Sequence, residues 1–205
     1  MKILIIGPPR TGTSSLIRAL GEVTKYTKLS EPFNYRLWGM KYTHPINYDD
    51  NIIVKMTSAQ VPKEYKNGEW KFFKKFIIDE INKFDCVILL NRKNLKEHWE
   101  GYLNLVYKYK SNKDSHAPWS ESDLPDDIDS IVGEGHKTIF KFQRDIIHDI
   151  SSLSNINISW YEDLYGTDRT ISLKLITSWG LNIDNNMLND LLHPKFKYRK
   201  SKSII

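Results

Sequence analysis

Met1-Lys-Ile-Leu-Ile-Ile-Gly7-Pro-Pro-Arg10-Thr-Gly12-Thr13-Ser14-Ser15-Leu16 is the stretch that decides the fold. Ile3 to Ile6 is an apolar run of the length of a buried strand, and Gly7-Pro8-Pro9 stops it. A polar turn follows, and Leu16-Ile17-Arg18-Ala19-Leu20 reads as the first turns of a helix. Strand, glycine loop and helix start make the geometry of an anion cradle. Backbone N–H groups of the loop and of the helix N-terminus converge on one point, and the helix dipole adds to the attraction.

The loop departs at one position from the triphosphate-binding pattern G-x-x-x-x-G-K-[ST], because Thr13 stands in the lysine slot. That lysine reaches the β- and γ-phosphates, so a loop without it is poorly equipped for triphosphate chemistry. Arg10 puts a cation inside the loop instead, which suits a shorter anion.

Working outward, residues 14–24 place Leu16, Ile17, Leu20 and Val23 at helical spacing. A short link reaches Thr27-Lys-Leu-Ser30-Glu31-Pro32-Phe33, where the proline favours an extended Glu31 at a strand end or turn. Asn51 to Met56 is a second strand with Lys55 near its end, and Cys86 to Asn91 a third, followed by Arg92. Ile156 to Tyr161 reads as a fourth, followed by Glu162-Asp163-Leu164. Amphipathic patterns predict helices over 69–84, 95–109, 131–153, 168–179 and 186–192. Ser111 to Asp127 reads as a long polar loop of the kind that forms lids, and 194–205 as a basic tail. Strands alternating with helices predict a parallel sheet of about four to five strands in a single domain over 1–205. In such sheets ligands bind beyond the carboxyl ends of the strands. Gly7–Ser15, Glu31, Lys55 and Arg92 all fall there.

Composition narrows the classes. The 205 residues are 40% hydrophobic and 12% aromatic, enough for a packed core and against global disorder. The net charge of +5 fits a polyanionic ligand, although the basic residues are scattered except at Lys195–Lys202. One cysteine, Cys86, in an apolar run excludes a disulfide framework and a cysteine-based zinc site. His98, His136, His148 and His193 lack metal-ligand spacing, so no metal is expected. No stretch approaches the ~20 apolar residues of a membrane span. A cytoplasmic protein that binds no nucleic acid is the expectation.

Three of these segments together resemble the sulfotransferase superfamily. Pro9-Arg10-Thr11-Gly12-Thr13-Ser14-Ser15-Leu16 is similar to its 5′-phosphosulfate loop, P-[KR]-[ST]-G-T-[ST]-x-L. Val87 to Asn94, with Arg92 after an apolar run, looks like its 3′-phosphate strand, and Tyr161-Glu162-Asp163-Leu164 like its late Y-E-D-L stretch. The resemblance implies a three-layer P-loop-like α/β fold, the sheet flanked by helices. It also implies 3′-phosphoadenosine 5′-phosphosulfate (PAPS) as sulfuryl donor and adenosine 3′,5′-bisphosphate (PAP) as product, without a metal.

By that resemblance Arg10 stabilises the leaving phosphate, and Pro9, Thr11, Gly12, Thr13, Ser14 and Ser15 complete the cradle. Glu31 is the expected base, since an attacking hydroxyl or amine must lose a proton. Cytosolic members of the family use a histidine after Lys-Thr in the second strand; this chain has Lys55-Met56-Thr57 there. Lys55 is expected at the transferred group and Arg92 at the 3′-phosphate, with Lys197, Arg199 and Lys200 of the tail as further cofactor contacts. Eight positions beyond Arg92, where the family carries a serine, stands Glu100, followed by Gly101. The acceptor class is open among small molecules, carbohydrates and peptides, and the sequence carries no signal for an oligomeric state. A nucleotide or small-molecule kinase with an altered loop, and a non-catalytic nucleotide-binding relic of the fold, are the alternatives.

Overall fold

From Ile3 onward β1 (Lys2–Gly7) is buried, and a strand buried on both faces belongs in the middle of a sheet. The computed structural model, which describes residues 1–32, 51–58, 73–111, 125, 127–181 and 185–192, puts it there. Among the described residues five strands form one all-parallel sheet in the order β2-β3-β1-β4-β5. The others are β2 (Thr27–Ser30), β3 (Ile52–Thr57), β4 (Cys86–Asn91) and β5 (Ile158–Trp160).

Strand alternation divides the core in two. Ile3 and Ile5 of β1 join Ile53, Ile88 and Leu90 beneath α1 (Thr13–Thr24), which contributes Leu16, Ile17 and Leu20. Leu4 and Ile6 face the other way, with Val54, Met56 and Leu89, against α2 (Phe73–Ile81). Each such side chain taken out of water stabilises the fold by about 1.5–3 kcal/mol. Next in the chain are α3 (Leu95–Lys110), α4 (Ile128–Val132) and α5 (Glu134–Ser154). Ile146, Ile147 and Ile150 of α5 pack with α2, while Phe140 joins Tyr102, Leu103, Val106 and Val132 in a third cluster. After β5 come α6 (Tyr161–Tyr165), α7 (Arg169–Ser178) and α8 (Asn185–Leu191). Ile176 and Leu191 of the last two pack on the α1 face. Helices cover both faces of the sheet, as a three-layer P-loop-like α/β fold requires.

Three local readings change. Thr27–Ser30, given no element by the sequence, is a strand: it pairs with β3 at the sheet edge, where its exposure leaves no apolar pattern to read. The predicted helix over 131–153 is broken at Gly133, whose φ of +81° separates α4 from α5. The fourth strand ends at Trp160, and Tyr161 opens a short helix. The starts of the 69–84 helix and most of the 111–127 loop, with His116 and Trp119, lie outside the described residues, as does the tail carrying Lys197, Arg199 and Lys200. Among the described residues no helix is long and apolar enough to cross a membrane.

Candidate functional site

Parallel strands put all their carboxyl ends on one edge. The register places Gly7 beside Thr57, Ser30 beside Lys55, and Asn91 beside Trp160. The strand order reverses about β1, so the loop after β1 and the turn after β4 flank the crevice where such sheets bind ligands.

The loop after β1 is fixed by close approaches. A Cβ on Gly7 would lie 2.5 Å from the Leu90 carbonyl oxygen and 2.7 Å from Thr11 Oγ1, so only glycine fits. Thr11 is buried and its hydroxyl donates to the Pro8 carbonyl at 2.7 Å, closing the turn on itself. Gly12 has φ +88°, and a Cβ there would meet the Tyr161 ring at 2.7 Å. Gly12 also caps α1 without a side chain, and the first intrahelical bonds run from Ser15 and Leu16 to its carbonyl. The N–H groups of Thr13 and Ser14 therefore have no intrahelical acceptor. In α3 and α7 the equivalent groups are answered by Asn94 and Asp168. Ser15 adds a buried hydroxyl with no hydrogen-bond partner.

Arg10 adopts a left-handed φ of +66°, a conformation that costs a non-glycine residue about 1–2 kcal/mol. Its Nε donates to the Gly101 carbonyl at 3.2 Å. Gly101 lies against Arg10, where a Cβ on it would stand 3.4 Å from the Arg10 Cβ, an ordinary van der Waals contact.

Glu31 is not extended. Its N–H continues the sheet ladder to the Lys55 carbonyl at 2.7 Å, and its φ of +55° then turns the chain back over β3. That turn overrides the bias imposed by Pro32 and brings the carboxylate onto its partners. Glu31 Oε1 accepts from the buried Lys55 ammonium and from Thr57 Oγ1 at 3.0 Å. The structure therefore joins two of the expected catalytic residues directly, with Thr57 as a third member.

The end of β4 is built differently. The Arg92 guanidinium lies 4.4 Å over the Tyr161 ring, donates through Nη2 to Glu97 at 3.1 Å, and has Nε 3.7 Å from Glu162. Glu162 also accepts from the N–H groups of Lys93 and Asn94, at 2.8 and 3.2 Å. Lys93 pairs with Asp163 at 2.5 Å, and the exposed Lys96 lies 3.9 Å from Glu100. Y-E-D-L is thus a strap: Tyr161 covers Gly12 and Arg92, and the next two side chains hold the β4–α3 turn.

His98 and Arg144 tie the two ends together, and neither was read as part of the site. His98 is fully buried; its Nδ1 accepts from Arg144 Nη1 at 2.5 Å and its Nε2–H donates to the Pro9 carbonyl at 2.8 Å. Since arginine only donates, the ring is neutral with its proton on Nε2. Burial holds its pKa down to about 3, with the Arg144 and Arg92 charges acting the same way against the bond to Pro9. Arg144 Nη2 donates to the Arg92 carbonyl at 3.0 Å. Arg144 lies on a helix remote in sequence, so no spacing could have pointed to it.

Fold and site define an α/β protein of P-loop-like architecture with a glycine loop and an uncapped helix N-terminus after its central strand. No family model, curated protein or solved structure matches the chain. Among the described residues no group of His, Cys, Asp and Glu could hold a metal ion.

Proposed function

We propose that the chain is a sulfotransferase, moving a sulfuryl group from a nucleoside 5′-phosphosulfate to a hydroxyl or amine. The observation that carries the reading is the α1 cradle, with Arg10 in place of the usual lysine, beside the Glu31–Lys55–Thr57 cluster. The N–H groups of Thr13 and Ser14, the α1 dipole and Arg10 would bind the 5′ anion and stabilise the charge that grows on the leaving phosphate. Glu31 would take the proton of the attacking group, and Lys55 and Thr57 hold that carboxylate in place. Lys55 then acts first on Glu31, and only through it on the transferred group.

A kinase reading needs a triphosphate, which a loop with Thr13 and no lysine holds poorly. Thermal unfolding with PAP, or with Mg-ATP, separates the two. A ligand at about a hundred times its Kd adds about 2.7 kcal/mol, or roughly 5 °C or more, to a chain of this size. PAP at millimolar concentration is expected to produce that shift and Mg-ATP a smaller one. No shift with PAP, or a larger one with Mg-ATP, overturns the proposal.

A further inference from the structure

The 5′ anion fits the cradle, but a second phosphate does not fit the end of β4. Arg92 is the cation expected there, and it is already partly engaged: Glu97 on Nη2 and the Tyr161 ring against one face, with Glu162 3.7 Å from a buried Nε that has no hydrogen-bond partner. Of its neighbours, Lys93 is paired with Asp163, and the exposed Lys96 lies 3.9 Å from Glu100. The remaining nearby cation, Arg144, spends its guanidinium on His98 and on the Arg92 carbonyl. Among the described residues, the cations Arg92, Lys93, Lys96 and Arg144 stand near as many carboxylates, Glu97, Glu100, Glu162 and Asp163, which leaves little net positive charge there for a dianion. Glu162 cannot swing aside cheaply, because the N–H groups of Lys93 and Asn94 hold it. An incoming phosphate would have to displace Glu97 and sit against Glu162 and Glu100, against Coulomb repulsion at close range.

We infer that this site selects its nucleotide by the 5′ anion alone and not by a 3′-phosphate, so that a nucleoside 5′-phosphosulfate lacking one serves as donor. The inference rests on the sulfotransferase reading and concerns its donor. In the transfer, the acceptor oxygen forms a bond to sulfur while the bond from sulfur to the 5′-phosphate oxygen breaks. The electron pair stays on that phosphate, which leaves as adenosine 5′-phosphate, and the acceptor proton passes to Glu31.

Calorimetric titration of the full chain with PAP and with adenosine 5′-phosphate tests this. One charge-assisted hydrogen bond to a 3′-phosphate is worth about tenfold or more in affinity, so that is the dividing line. Affinities within tenfold of each other are expected. PAP binding more than tenfold tighter overturns the inference while leaving the sulfotransferase reading intact. Binding of neither nucleotide overturns that reading, and the inference with it. Glu97→Gln supplies a second arm, since it keeps the side chain's size and releases Arg92 Nη2. The preference for PAP should then rise several-fold over that of the unaltered chain; an unchanged ratio refutes the role given to these carboxylates.

Discussion

The carboxyl ends of β1 and β4 are neighbours in the sheet, yet they are furnished in opposite ways. After β1 the chain turns through two left-handed residues, Arg10 and Gly12, and starts a helix with no side chain over its first N–H groups. After β4 it starts α3 on an asparagine cap, and three cations in succession find carboxylate partners. The first end stores backbone strain and leaves polar groups without a partner in the helix. The second pairs its charges with one another, although Asn91 Nδ2 and Arg92 Nε stay without a hydrogen-bond partner. Strain and unanswered donors persist where a ligand repays them, and self-satisfied charge clusters usually serve the fold itself.

The strongest way to break this contrast is Arg10→Gly. Glycine adopts a φ of +66° without strain, so urea unfolding should show stability unchanged or raised by up to about 1 kcal/mol. The cation proposed to meet the anion is lost, and sulfuryl transfer should fall by about a thousandfold, the scale of removing one preorganised donor from a transition state. A folded variant that keeps wild-type transfer would show that Arg10 serves the loop and not the anion.

How much of this was legible in the sequence follows the range of the forces involved. β1, β3 and β4 are continuous apolar runs, and the loop announces itself because glycines and prolines act locally. Glu31 and Lys55 could be assigned to strand ends from one proline and one apolar run. Their direct pairing could not, because it depends on β2 lying beside β3, and β2 is an exposed edge strand with no pattern. The fate of Arg92 was equally hidden. Its partners come from one turn along α3 and from the start of α6, and only the fold brings them within reach. Glu100 was visible as a mismatch with the family pattern; that it belongs to a whole set of matched charges was not.

A middle-sized effect probes the strut that joins the two ends. His98 bridges Pro9 of the loop to Arg144, which also holds the Arg92 carbonyl. Its pKa near 3 lies below the unfolded value of about 6.5, so the unfolded chain binds the extra proton first as pH falls. Stability from this group is complete above about pH 6.5 and is lost progressively below it until the folded value near 3 is reached. Between pH 7 and pH 4.5 the loss should be about 2 kcal/mol. Urea unfolding at both values should show His98→Gln, which has nothing to titrate there, losing correspondingly less. Equal losses in the two proteins would mean that His98 is not locked in its neutral form and that the strut does not bear on the loop.

The smallest effect expected is at Lys96, and its smallness is the point. This side chain is 87% exposed and lies 3.9 Å from Glu100, so Lys96→Ala should change stability by no more than about 0.5 kcal/mol. Were the β4 end an anion site, a flexible cation at the start of α3 would be part of its field, and its loss would lower nucleotide affinity and flatten the salt dependence of binding. If Lys96 only balances Glu100, the affinity for PAP should stay within about twofold at low and at physiological salt, because the field at the loop after β1 is set by other groups. A salt-dependent loss of affinity in Lys96→Ala would therefore erase the difference between the two strand ends, and it would do so without disturbing any buried contact that could confuse the result.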